Sequence, residues 1–170
     1  ENAWISFCAR PAEMLAVADA EWLALSNKDW RPEMRQRFFE NRKDAESKSV
    51  IAEVATAALA AGLAAENVLF SLSHTEGAAI AVAAECVVGQ CAGIGIDIEN
   101  SMRVISEKGA QRISSENERH LGFSDLELWS IKEAAFKAYP ENAGTILPHY
   151  KVTKSRVELE HDGQSYPFQF

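Results

Sequence analysis

VLFSLSHTEGAAIAVAAE, residues 68–85, is the stretch on which the fold turns. Apolar and polar side chains alternate through VLFSLSH, and AAIAVAAE repeats an extended pattern after Glu76-Gly77. A side-chain period of two belongs to a strand, so the stretch predicts a strand pair. Upstream the period is helical. Pro11 to Leu25 suits a helix, Asp29-Trp30-Arg31-Pro32 punctuates, and a charged helix starts near Glu33. A long alanine-rich helix is expected from about Lys43 to Ala61, with Gly62 at its left-handed cap and Ala65-Glu66-Asn67 as the turn into Val68. Before these helices, WISFCAR (4–10) reads as a short strand. Downstream, GIGIDIE (93–99) is a further extended run with glycines where bulky side chains would block close backbone approach. The polar sequence from Asn100 to Gly122 predicts a loop and a helix. Ser124-Asp125 caps a helix over LELWSIKEAAFKAY that Pro140 closes, and the tail forms a hairpin turning at Asp162-Gly163. The class is α+β.

The 170 residues are 47% hydrophobic, enough for one compact unit or two small fused lobes. The longest apolar-rich stretch, Val54 to Leu63, is far too short to span a bilayer, and no charged-then-apolar leader is expected. A formal net charge of −8 argues against general affinity for nucleic acid or anionic membrane, since both need a basic face. Local basic clusters at 31–48 and 103–119 still leave room for a phosphate-rich small ligand. Cys8, Cys86 and Cys91 show no metal-ligand spacing and are odd in number, so reduced thiols in a cytoplasmic protein are expected.

Asp97 and Glu99 stand two apart in an extended pattern and project from one face. Two like charges there repel unless a cation lies between them, and hard oxygen ligands suit Mg²⁺. The alternative is a solvated strand end. Glu133 and Lys137, four apart on the predicted helix, share a face, either as a surface ion pair or as groups facing a cleft. Ser73 and His74 are strand neighbours and face opposite ways, which excludes a catalytic dyad; hydroxyl and imidazole groups at a strand end would suit phosphate contacts.

FSLSHT (70–75), GIGIDIE (93–99) and WSIKEAAFKA (129–138), in that order, resemble the three signature blocks of the 4'-phosphopantetheinyl transferase superfamily. The two halves resemble its single-chain, pseudo-dimeric surfactin-synthetase and enterobactin types. The resemblance implies two pseudo-symmetric α/β lobes with antiparallel strands packed on long helices, an N-terminal lobe over 1–92 and a shortened C-terminal lobe over 93–170. It implies transfer of 4'-phosphopantetheine from coenzyme A to a serine of an acyl or peptidyl carrier protein by a monomeric enzyme. The alternative is a coenzyme A- or carrier-binding homologue without turnover. Asp97, Glu99 and Glu133 resemble the Mg²⁺ ligands, with Glu133 first choice and Glu99 second as the base that takes the serine proton. Lys137 would meet phosphate oxygens, and Ser73, His74, Lys132, Arg42 and Lys48 would contribute to holding coenzyme A. Arg103, Lys108, Arg112 and Arg119 are candidates for docking the acidic carrier. One departure is plain: relatives carry a hairpin with a glycine-lysine/arginine-proline turn before the serine-histidine strand, and here Gly62 runs through AAENV directly into LFSLSH.

Overall fold

The structure is a computed structural model that describes residues 3–8, 17, 19–40, 42–76, 78–86 and 93–170. Strand β1 (Ala3–Cys8) is followed by helices α1 (Asp19–Ser26) and α2 (Pro32–Met34). The beginning of the helix expected from Pro11 lies outside the described residues. The charged helix expected near Glu33 keeps α-geometry only through Met34; Arg35–Glu40 is a π-helical turn. That turn places two successive aromatics inward. Phe38 and Phe39 are both buried, and Phe39 stacks on Trp30 at 5.2 Å while both Trp30 and Phe39 meet Phe70 edge-on. Such ring pairs contribute about 0.5–1.5 kcal/mol each beyond area burial. Trp30 also satisfies its indole N–H on the Leu25 carbonyl at 2.7 Å.

Helix α3 (Ala45–Ala60) begins where Asp44 accepts from the Ser47 amide and ends before Gly62, whose φ of +88° suits glycine. Its face of Val50, Ile51, Val54, Ala55 and Ala58 packs with the rings into the first core. A short 3-10 turn at Ala65–Asn67 leads straight into β2 (Val68–Thr75), which pairs antiparallel with β3 (Ala78–Glu85). The sheet order is β1-β3-β2.

The second core belongs to the C-terminal half. Short helices α4 (Glu107–Ile113) and α5 (Glu116–Arg119) precede α6 (Asp125–Ala138), and the meander β4 (Tyr150–Val152), β5 (Arg156–His161), β6 (Gln164–Gln169) packs on α6. Ser124 and Glu127 form a reciprocal capping box at the start of α6. The β5–β6 turn places Asp162 and Gly163 at φ of +49° and +75°, the two left-handed positions of a tight hairpin. The two sheets of the described residues differ in strand order.

Two further expectations are corrected. Residues 93–99 carry no assigned helix or strand and join no sheet among the described residues. Side chains satisfy the backbone of Ile96: its amide donates to Ser71 Oγ at 3.1 Å, and its carbonyl accepts from Lys137 at 3.2 Å. Gly93 and Gly95 lie so close to the Ala138 and Ala134 carbonyls of α6 that a Cβ at either would overlap them. The glycines thus serve helix contact rather than a strand ladder. The second correction concerns the thiols: Cys86 is disulfide-bonded, with its partner outside the residues whose side chains are described. An odd cysteine count excludes only complete pairing, so one bond remained compatible with the sequence. Among the described residues no helix is long and apolar enough to cross a membrane.

Candidate active site

The extended segment 93–99, the end of β2 and one face of α6 converge between the two cores. Ser73 is buried on β2, whereas His74 is exposed, as strand alternation requires. Ser73 Oγ donates to Asp97 Oδ1 at 2.8 Å and accepts from Lys137 Nζ at 3.1 Å. Lys137 also donates to Asp97 Oδ1 at 2.7 Å. Together with the Ile96 carbonyl, these contacts occupy all three ammonium hydrogens of Lys137. The surface ion pair between Glu133 and Lys137, one alternative left open by helical spacing, is not formed; Lys137 reaches across to Asp97 instead.

Asp97 is thereby half satisfied. Its side chain is 6% exposed, and Oδ2 is buried without a hydrogen-bond partner. An orphaned anionic oxygen of this kind is costly unless a cation or donor takes it. Glu133, one helical turn before Lys137, titrates above the usual carboxylate range. Burial is the main cause; Lys137 and Arg103 oppose it, and the charges of Asp97 and Glu99 reinforce it. Glu99 is engaged by the guanidinium of Arg103, which lies 4.9 Å from the ring centre of Trp129, one turn before Glu133. Hard oxygen donors, an unpartnered buried carboxylate oxygen and mutual carboxylate repulsion fit a divalent cation. Among the described residues, however, no group of three or more His, Cys, Asp or Glu side chains already converges on one ion position.

Residues 93–168 match the family model of the 4'-phosphopantetheinyl transferase superfamily. The matched segment holds Asp97, Glu99, Glu133 and Lys137 and leaves Ser73, with the rest of residues 1–92, outside. No curated protein matches the chain closely enough to count as a relative.

Other sequence-selected residues are dispersed. Lys132 is fully buried and cannot meet a ligand from solvent: Nζ lies 2.7 Å from Glu118 Oε1 and 2.6 Å from the Ile113 carbonyl. Its assignment to coenzyme A is therefore corrected to a structural one, because α6 turns position 132 away from Glu133. Arg42 pairs with Asp44 at 3.6 Å, and Lys48 lies over Trp22; both stand at the start of α3. Neither joins the Asp97 cluster among the described contacts. Arg42 Nε is buried without a hydrogen-bond partner. Burial, then the charge of Arg42, lowers the pKa of the neighbouring Arg37, which marks two guanidinium groups sharing one region.

Glu118 was not among the residues that the sequence singled out. Its capping-box spacing from Ser115 is visible in SSENE, but its further bonds, to Lys132 and to the Val152 amide at 2.9 Å, are tertiary. The pairing of Arg103 with Glu99 has a trace in their separation of four, although the segment linking them is a turn rather than a helix.

Proposed function

We propose that this chain transfers the 4'-phosphopantetheine arm of coenzyme A to the serine hydroxyl of an acyl or peptidyl carrier protein, with Mg²⁺ as cofactor. The observation that carries the reading is Asp97. It is a buried carboxylate with one oxygen fixed by Ser73 and Lys137 and the other unpartnered, and it lies within the segment matching the transferase family. Asp97, Glu99 and Glu133 would hold the ion. When bound, Mg²⁺ supplies charge neutralisation at the pyrophosphate and brings these acids together.

The chain's own residues account for the remaining steps. Ser73 and Lys137 position Asp97, and Lys137 adds positive charge on the side where phosphate oxygens would lie. Glu133 accepts the proton of the carrier serine as its oxygen bonds to the β-phosphorus. The bond from that phosphorus to the bridging oxygen breaks, and adenosine 3',5'-bisphosphate leaves. An open, mainly apolar pocket of about 570 Å³ beside Glu133, walled by Trp129, Phe136, Ile146 and Leu147, offers the incoming groups an apolar surface next to that carboxyl. Arg42 with its unpartnered Nε, Lys48 and His74 belong to the proposed coenzyme A grip, together with Arg37. Lys108, Arg112 and Arg119 are exposed on the segment that follows Glu99 and are the proposed contacts for an acidic carrier.

The reading extends to the single-chain, pseudo-dimeric type, acting as a monomer, with the lobes divided near residue 92. Cytoplasmic residence completes it, although the Cys86 disulfide pulls the other way, since reducing compartments oppose such bonds. Incubation with an apo carrier, coenzyme A and Mg²⁺ should add one phosphopantetheine mass to the carrier serine. Failure across several acyl and peptidyl carriers would count decisively against transfer. A binding-only homologue is the second reading, favoured by the direct run from α3 through the 3-10 turn into β2 where relatives carry a coenzyme A-holding hairpin. Calorimetric binding of coenzyme A with no transfer would select it.

A further inference from the structure

The two acids of the 93–99 segment have different resident cations. Lys137 on Asp97 is 18% exposed, has every donor used and is tied to β2 through Ser73. It is built in. Arg103 on Glu99 is 42% exposed, and its guanidinium has one described hydrogen-bond acceptor, Glu99 Oε1. The short turn from Asn100 holds it there: the Arg103 amide donates to the Asn100 carbonyl at 2.8 Å and the Met102 amide to Asn100 Oδ1 at 2.9 Å. The guanidinium lies over Trp129 on α6, and Glu99 itself is only 12% exposed.

Resting on the magnesium reading above, we infer that Arg103 is a displaceable internal counter-cation that holds Glu99 until a divalent ion takes its place. A divalent ion on Glu99 would draw off the carboxylate charge that attracts the guanidinium and would repel it at short range. Asp97, Glu99 and Glu133 carry three formal negative charges when ionised, against one positive charge each on Lys137 and Arg103. A divalent ion adds more charge than the cluster lacks, so loading favours departure of the cation that is less firmly held. Arg103 satisfies that condition on exposure and bonding, and Lys137 does not. Arg103 is thus a positioning residue acting through Glu99, and its partner Trp129 reports its position.

The test uses Mg²⁺ alone, without coenzyme A, at constant ionic strength. Binding is followed by thermal shift and by the indole fluorescence of Trp129, assigned by its loss in Trp129→Phe. Wild-type protein should show a saturable fluorescence change as Arg103 leaves the ring. Arg103→Gln should lower the half-saturating Mg²⁺ concentration by about two- to fivefold, the range expected from an exposed ion pair. Arg103→Lys should restore most of the wild-type value. With Glu99→Gln in place, removing Arg103 should change nothing further. A purely structural Arg103 would leave metal affinity unchanged or weaken it on substitution, and either result overturns the inference while leaving the metal reading intact. No Mg²⁺ response from wild type or Arg103→Gln by either measurement would overturn the metal reading and the inference together.

Discussion

Asp97 and Glu133 differ in a way that fixes what each should do when altered. Asp97 is held at one oxygen and bare at the other, so Asp97→Asn keeps an acceptor for Ser73 and Lys137 while removing the charge. It should eliminate the Mg²⁺-dependent thermal shift; an unchanged shift would remove Asp97 from the metal set. Glu133 titrates high, with burial the leading cause. A carboxyl whose folded pKa is raised costs stability in full above the folded value, and that cost declines as pH falls and is gone below the unfolded pKa. Glu133→Gln should therefore leave the fold at least as stable near neutral pH while reducing transfer about 10²–10⁴-fold, the loss expected for a general base. Carboxyl carbon NMR of the metal-free protein should place Glu133 above its exposed counterparts, and a value at or below the ordinary range would contradict the burial argument.

At the scale of elements, α6 is held on both sides by contacts of opposite character. On one side Gly93 and Gly95 bring the extended segment against its carbonyls, and this approach sets Asp97 within reach of Lys137. Gly95→Ala should cost about 3 kcal/mol or more in chemical denaturation, the upper range for overpacking, and should weaken Mg²⁺ binding as well. A fully tolerated alanine would mean that the segment lies farther from α6. On the other side the buried Glu118–Lys132 pair ties α5, α6, β4 and the end of α4 into one unit. Burial raises the Glu118 carboxyl, but Lys132 and the Ser115 and Val152 bonds together outweigh it and leave the pKa below the usual range. Its contribution is present above the unfolded pKa and is lost as pH falls through the depressed folded value. Glu118→Gln leaves Lys132 buried without a counter-charge and should destabilise by about 3–5 kcal/mol, measured by urea denaturation. A loss below 1 kcal/mol would show that Lys132 has another partner.

Across the whole molecule the two cores have separate memberships, and the described hydrogen bonds between the halves run through Ser71, Ser73, Ile96, Asp97 and Lys137. The candidate site is therefore also the seam. A ligand spanning it should couple the two cores: at about 100 times its Kd, coenzyme A with Mg²⁺ should add about 2.7 kcal/mol to unfolding. Fluorescence and circular-dichroism transitions that separate without ligand should then coincide; stabilisation of one transition alone would place the ligand against a single core. Local order was legible in the sequence because short-range signals carry it. Asp44 and Ser124 mark helix starts, Gly62 marks an end, alternation marks β2 and β3, and Asp162-Gly163 marks the hairpin. Spacing likewise marked Asp97 with Glu99 and Glu133 with Lys137 as two pairs, and only the resemblance joined the pairs into one expected set. Tertiary structure decided their pairing, because a side chain's partner depends on which faces meet. Lys132 and Lys137 have the same charge and lie on the same helix, yet one is sealed against Glu118 and the other reaches Asp97. The glycines of GIGIDIE were legible as sites of close backbone approach, but only packing decided that Gly93 and Gly95 meet α6 and that the side chains of Ser71 and Lys137, rather than a neighbouring strand, satisfy Ile96.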